Sequence, residues 1–232
     1  MMLYRISSAA CAMALIAGCA ASEQARDVET SGFLGADYDL LRQGEEDQAL
    51  LVYLNPDANW AAYDKIKLDP VTIWADEESA FEDFSAEDQQ TLADAFYTVI
   101  HQELSQDYAM VDELGPGVLH VQAALTEADA SNPTMDTISS IVPQALIVSS
   151  ATGLVTGKPS FVGEASGEMR VSDGASGELL AAAVDRRIGG KSVGGSTDSW
   201  NDVRQAMQFW AMQLRYRLCT ERGETDCVAP EA

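Results

Sequence analysis

The sequence predicts an α+β domain of two layers, a mainly antiparallel sheet of four to five strands with two long helices packed on one face. Three observations predict it. Several segments alternate apolar and polar residues with a period of two, the mark of a half-buried strand. Two longer segments repeat their apolar residues at the helical period of 3.6. The order along the chain is strand, helix, four strands, helix, and helices segregated onto one face of an antiparallel sheet make a two-layer domain.

The elements follow in order. Gly32–Asp64 has little periodicity and many aromatics (Phe33, Tyr38, Tyr53, Trp60, Tyr63), and reads as an irregular wrap with a short strand at Leu50–Leu54. In Tyr63–Trp74, Ile66 and Leu68 alternate with polar residues and β-branched residues follow. This is a strand, in which Pro70 marks an edge or a bulge. Ala75–Asp83 is an acidic loop. Ser85 and Asp88 form a capping-box-like start, after which Leu92, Ala95, Phe96, Val99, Ile100 and Leu104 place an amphipathic helix over 86–106. Tyr108–Val111 is a short strand, and Gly115-Pro116-Gly117 turns the chain. In 118–126, Leu119, Val121, Ala123 and Leu125 face one way, and His120, Gln122 and Thr126 the other. Phe161–Asp173 and Leu179–Ile188 form a long hairpin across the turn at 173–178, with Glu164, Ser166, Glu168 and Arg170 on a wet face. From Asp198 a last helix carries Val203, Ala206, Met207, Trp210, Leu214 and Leu218.

Residues 1–18 read as a signal peptide: one early cation, Arg5, then an uncharged apolar run too short to span a bilayer. The run ends in Leu15-Ile-Ala-Gly-Cys19, a lipobox. Small residues lie flat in a peptidase cleft, and the thiol of Cys19 is nucleophilic enough to take a diacylglyceryl group. Two or more acyl chains suffice for stable anchoring. Ala20 and Ala21 after the cysteine point to the outer membrane, with the protein facing the periplasm. Residues 19–31 are polar and aperiodic, and read as a lipidated flexible tether reaching about 40 Å when extended. The single domain then covers 32–222, and 223–232 is a tail. Cys219 and Cys227, in an oxidising compartment, form a structural disulfide that clips this tail, with Gly223 turning the chain between them.

The formal net charge is −23, and between Lys67 and Lys158 there are sixteen acidic residues and no Lys or Arg. That charge excludes nucleic acid and a polybasic grip on anionic lipid. A solvated acidic face is the ordinary reading, and a face for a basic partner the alternative.

Four stretches together carry a family resemblance. They are the lipobox, Ser31-Gly-Phe-Leu-Gly35, the run Asn59–Val71, and a carboxyl block from Gly163-Glu-Ala through Gly177–Arg187 to Phe209–Arg215. The chain resembles a family of bacterial lipoproteins known as domain-of-unknown-function 3313, over nearly the whole mature sequence. The resemblance implies no reaction, cofactor or catalytic residue. The element order is also similar, at the level of fold alone, to the amino-terminal domain of TolB and to lipoprotein activators of penicillin-binding proteins.

The residues themselves offer little chemistry. Only His101 and His120 are available as general bases at neutral pH, and neither stands near a nucleophile signature. No clustered ligands predict a metal, and no cofactor is expected. Gly153–Ser160 imitates a phosphate loop but is one residue short, and Pro159 removes an amide. Gly163-Glu-Ala-Ser-Gly167 places its serine one position late for a nucleophile elbow. Thr137–Gly157 has no charge in twenty-one residues. It reads either as packed on the sheet or as a docking segment presenting Ile138, Ile141, Val142, Leu146, Ile147, Val148, Leu154 and Val155. The expectation is a non-enzymatic interaction or assembly module, bound to a membrane through Cys19 and to another envelope protein. A periplasmic carrier of a small molecule or lipid, with an apolar cleft beside Ile138–Val155, is the second reading. A hydrolase using a serine with His101 or His120 is the third.

Overall fold

The computed structural model describes residues 22–74, 79, 81, 84–129, 164–188 and 199–230. Cys19 and the uncharged segment, including Ile138, Ile141, Val142, Leu146, Ile147, Val148, Leu154 and Val155, lie outside them. The strands are β1 (Glu23–Gln24), β2 (Arg42–Gln43), β3 (Leu51–Leu54), β4 (Lys65–Leu68), β5 (Thr72–Ile73), β6 (Ala109–Met110), β7 (Val118–Asp129), β8 (Glu164–Asp173) and β9 (Leu179–Ile188). The helices are α1 (Ala86–Leu104) and α2 (Ser199–Glu221).

The class is α+β as expected, but among the described residues the sheet has nine strands in place of four to five. The main path runs β2-β3-β9-β8-β7-β4-β6, with β1 on β9 and β5 on β7. The reason for the difference is length. β1, β2, β5 and β6 are two residues each, too short for alternation to show in a sequence. The single strand expected over 63–74 divides around Pro70 into β4 and β5, and both pair in parallel with β7. Proline donates no ladder hydrogen bond, so the pairing breaks there. β4 also pairs in parallel with β6, so the sheet is mixed.

β7, β8 and β9 form an antiparallel centre. The hairpin turn is tied by Asp173, whose carboxylate accepts from the amides of Ala175 and Ser176. Gly177 closes it at φ 75°, which a side chain would strain. A bulge between Val171 and Ser172 leaves Leu180 unpaired in register, and its side chain joins the core.

α1 begins where Ser85 Oγ accepts from the Asp88 amide. Leu92, Phe96, Ile100 and Leu104 fall on one face and are buried against Ile66, Leu68, Leu119, Val121 and Leu125. α2 adds Val203, Met207, Trp210 and Leu218 to this core. Phe96 and Trp210 meet with ring centroids 5.8 Å apart. β8 passes beneath at Gly167, where a β-carbon would stand 3.1 Å from the indole of Trp210. Both helices therefore share one face, as the periodicity predicts. Cys219 and Cys227 are bonded, with Cα atoms 5.7 Å apart.

The other face departs from expectation. Residues 28–41 fold over the hairpin, and Leu34, Phe33, Tyr38 and Val28 pack on Ala182 and Val184. Glu168, expected on a wet face, has no exposed surface. Its carboxylate accepts from Tyr38 Oη at 2.6 Å and from the Ser31 amide at 2.9 Å. Arg170 beside it pairs with Asp37 at 3.3 Å. Phe96→Ala should cost about 3–5 kcal/mol, read as a lower urea midpoint with an unchanged slope.

Candidate functional site

Three places on the described surface combine unusual burial or shape with polar chemistry. The first is the amino-terminal edge. β1 pairs with β9, Glu23 opposite Ile188 and Gln24 opposite Arg187, and the Ala25 amide donates to the Arg186 carbonyl at 2.8 Å. Glu23 and Gln24 of the expected tether are thus part of the sheet, and Ser22 and Ala25 are bonded to its edge. Two buried groups hold them. Arg187, 4% exposed, donates from Nε to Ser22 Oγ at 2.8 Å and from its terminal nitrogen to the Ser22 carbonyl. Its guanidinium lies 3.5 Å from the ring centre of Phe209 on α2, so the cation is stacked as well as bonded.

Asp185, two residues away on the same face of β9, is equally buried. One oxygen accepts from Gln24 Nε2 at 2.8 Å and from the Leu50 amide at 3.2 Å. The other accepts from Trp210 Nε1 at 2.8 Å. Burial raises its carboxyl above the ordinary carboxylate range, although these donors and the charge of Arg187 pull the other way. Burial likewise lowers Arg187, opposed by Asp185. One strand thus presents a carboxylate and a guanidinium that together fix β1, the approach to β3, and α2. Sequence reasoning placed Asp185 and Arg187 within a strand but missed this role, because a charged pair at i and i+2 also fits an ordinary solvated face.

The second place is a groove between α2 and the β3–β9 ladder. Val52, Leu54, Ala183, Met169, Phe209 and Leu214 form its apolar walls, and Gln48 and Arg217 lie at its rim. The cavity measures about 160 Å³. Its wall includes Asp185 and Trp210, so it adjoins the amino-terminal clamp.

The third place is on the face of the sheet away from the helices. Asp69, just before Pro70, binds Lys67 Nζ, His120 Nε2 at 2.6 Å and Gln122 Nε2 at 3.2 Å. Burial raises Asp69, but Lys67 and His120 outweigh it and hold the carboxyl below its usual value. His101 lies on α1 near Tyr97, ring centres 6.0 Å apart. The two histidines stand on opposite sides of the sheet and do not meet. Ser172 lies opposite His120 in register, yet among the described residues no serine hydroxyl bonds either histidine. No group of three or more His, Cys, Asp or Glu among the described residues is placed to hold a metal ion.

Two consequences are testable. Arg187→Met removes both bonds to Ser22 and leaves Asp185 without its nearest cation. A loss of about 1–3 kcal/mol at this edge should speed trypsin cleavage after Arg26 by roughly tenfold or more. Amide exchange in α1 should stay unchanged. The depressed Asp69 stabilises the fold above the unfolded carboxyl value near 3.8, and that stability disappears as pH falls through the lower, folded value. Asp69→Asn should therefore lower stability by about 1 kcal/mol at pH 7. The difference from the parent should vanish in acid unfolding measured below that range.

No curated protein matches the chain. Among solved structures it is similar to two dodecamers of PelC from Paraburkholderia phytofirmans, one a single-substitution variant and the other in space group P6. The TM-scores are 0.36 and 0.35, with 10% identity over 75% of this chain and 96% of each PelC chain. A family profile, described as "Protein of unknown function (DUF3313)", matches residues 29–214. That match takes in most of the sequence, and the protein belongs to the DUF3313 family.

Proposed function

We propose that this protein is a non-enzymatic module of the bacterial envelope, acylated on Cys19, held at the outer membrane facing the periplasm, and engaging another envelope component. The observation that carries the reading is the amino-terminal clamp. The sequence from the lipobox to the fold is Cys19-Ala-Ala-Ser22, and Ser22 is already 4% exposed and bonded to a buried arginine. A buried cation devoted to the third residue after the cysteine supports an attachment point there. Among the described residues no helix is long and apolar enough to cross a membrane, so attachment would rest on the acyl chains.

An interaction module is the preferred reading over a carrier, whose cleft would lie beside Ile138–Val155, outside the described residues. The groove on α2, at about 160 Å³, is smaller than the roughly 300–1,000 Å³ usual for a ligand pocket. The polar cluster at His120 supports a structural reading, because its carboxylate is engaged by three side chains.

Cys19→Ser should move the protein wholly from the membrane to the soluble fraction of cells while the purified domain keeps the parent's melting temperature. Continued sedimentation with membranes would remove the anchor from the proposal. Crosslinking in intact cells, followed by mass spectrometry, should recover a defined envelope component. Recovery of the monomer alone, under conditions that trap known envelope complexes, would sink the interaction role.

A further inference from the structure

The geometry points to a defined orientation on the bilayer: the end of the sheet where β1 enters, and where β7 ends and β8 begins, faces the lipid, and the β8–β9 turn faces away. This deepens the proposed anchoring and rests on Cys19 being the acylated residue.

The register puts one row of residues side by side. Asp129 pairs with Glu164, Glu164 with Ile188, and Ile188 with Glu23. Ser22 is the next residue out, and Arg187 fixes it there through its hydroxyl and its carbonyl. Ser22 is the third residue after Cys19, and three residue steps span at most about 10 Å. The headgroup layer between water and hydrocarbon is about 5–8 Å deep. A cysteine whose acyl chains lie in the hydrocarbon therefore holds Ser22 at, or just above, the headgroups. A free tether of twelve residues would leave the domain free to tumble. A tether of three residues ending in a buried clamp does not.

The opposite end is correspondingly remote. From Ile188 back to Leu179, β9 runs the length of a ten-residue strand, about 30 Å. The turn at 174–177 lies beyond it. α2 runs in the same outward direction: Phe209 sits on Arg187, and Arg222 sits on Tyr108, beside β6 and the starts of β4 and β7. The Cys219–Cys227 bond is therefore at the outer end, and the groove opens along the side between the two ends.

The test uses acylated, full-length protein purified from membranes and reconstituted into vesicles of phosphatidylethanolamine and phosphatidylglycerol carrying a headgroup nitroxide. A fluorophore is placed on Glu23→Cys or on Ala175→Cys, both exposed positions. Each variant must keep the parent's melting temperature. With the protein floating on the vesicles, quenching at position 23 should exceed that at position 175 at least threefold. Inserting twelve Gly and Ser residues between Ala21 and Ser22 should abolish the contrast without affecting flotation. Equal or reversed quenching in the floating protein overturns the orientation and leaves the anchor standing. A contrast that survives the insertion removes the short tether as its cause and overturns the inference in that form. Parent protein that does not float overturns the anchor, and the orientation with it.

Discussion

Burial of the β8–β9 hairpin on both faces is the constraint on which the rest of the structure depends. One face lies under α2 and the other under residues 28–41. Small residues make this possible: Gly167 lets the indole of Trp210 approach, and Ala181, Ala182 and Ala183 keep β9 thin. Where the hairpin is covered on both sides, water is withheld from its polar side chains, so each buried one needs a partner inside the protein. Glu168 finds Tyr38 and Ser31 on one side. Asp185 finds Gln24, Leu50 and Trp210 on the other, and Arg187 finds Ser22 and Phe209.

These partners explain why segments without secondary structure of their own are ordered. The stretch from Ser31 to Leu40 offers only a six-residue 3-10 helix, Gly35–Leu40, which has little intrinsic stability. It is held by what it covers, an apolar patch and a buried carboxylate. The same holds for β1, whose two residues could not form a strand alone. Bonds to groups that would otherwise be buried unsatisfied are the ones whose loss costs most, so short elements placed over such groups gain stability out of proportion to their length.

That logic also marks what was legible in the sequence. The long elements were, because Leu119, Val121, Ala123 and Leu125, or Phe96, Ile100 and Leu104, announce a face through spacing alone. The disulfide was legible from the short separation of Cys219 and Cys227 and from the oxidising compartment that the lipobox implies. The two-residue strands were not, since a period of two needs several residues to appear. Nor was the covered face of the hairpin: Glu164, Ser166, Glu168 and Arg170 look like a solvated stripe in one dimension, and only the return of residues 31–38 makes Glu168 interior. His120 was correctly placed on the polar face of its strand, but the sequence did not show that Asp69 would reach it from the far side of a parallel pairing.

The bond between Ser22 and Arg187 joins residues 165 positions apart. A contact of that separation forms only after nearly the whole domain exists, since distant segments close more slowly than near ones. While the chain emerges from amino to carboxyl end, Ser22, Glu23 and Gln24 have no β9 to join. They stay unpaired until β9 exists. Completion of β9 then buries Ser22. The order of synthesis and the topology of the sheet together make this amino-terminal edge among the last contacts to close.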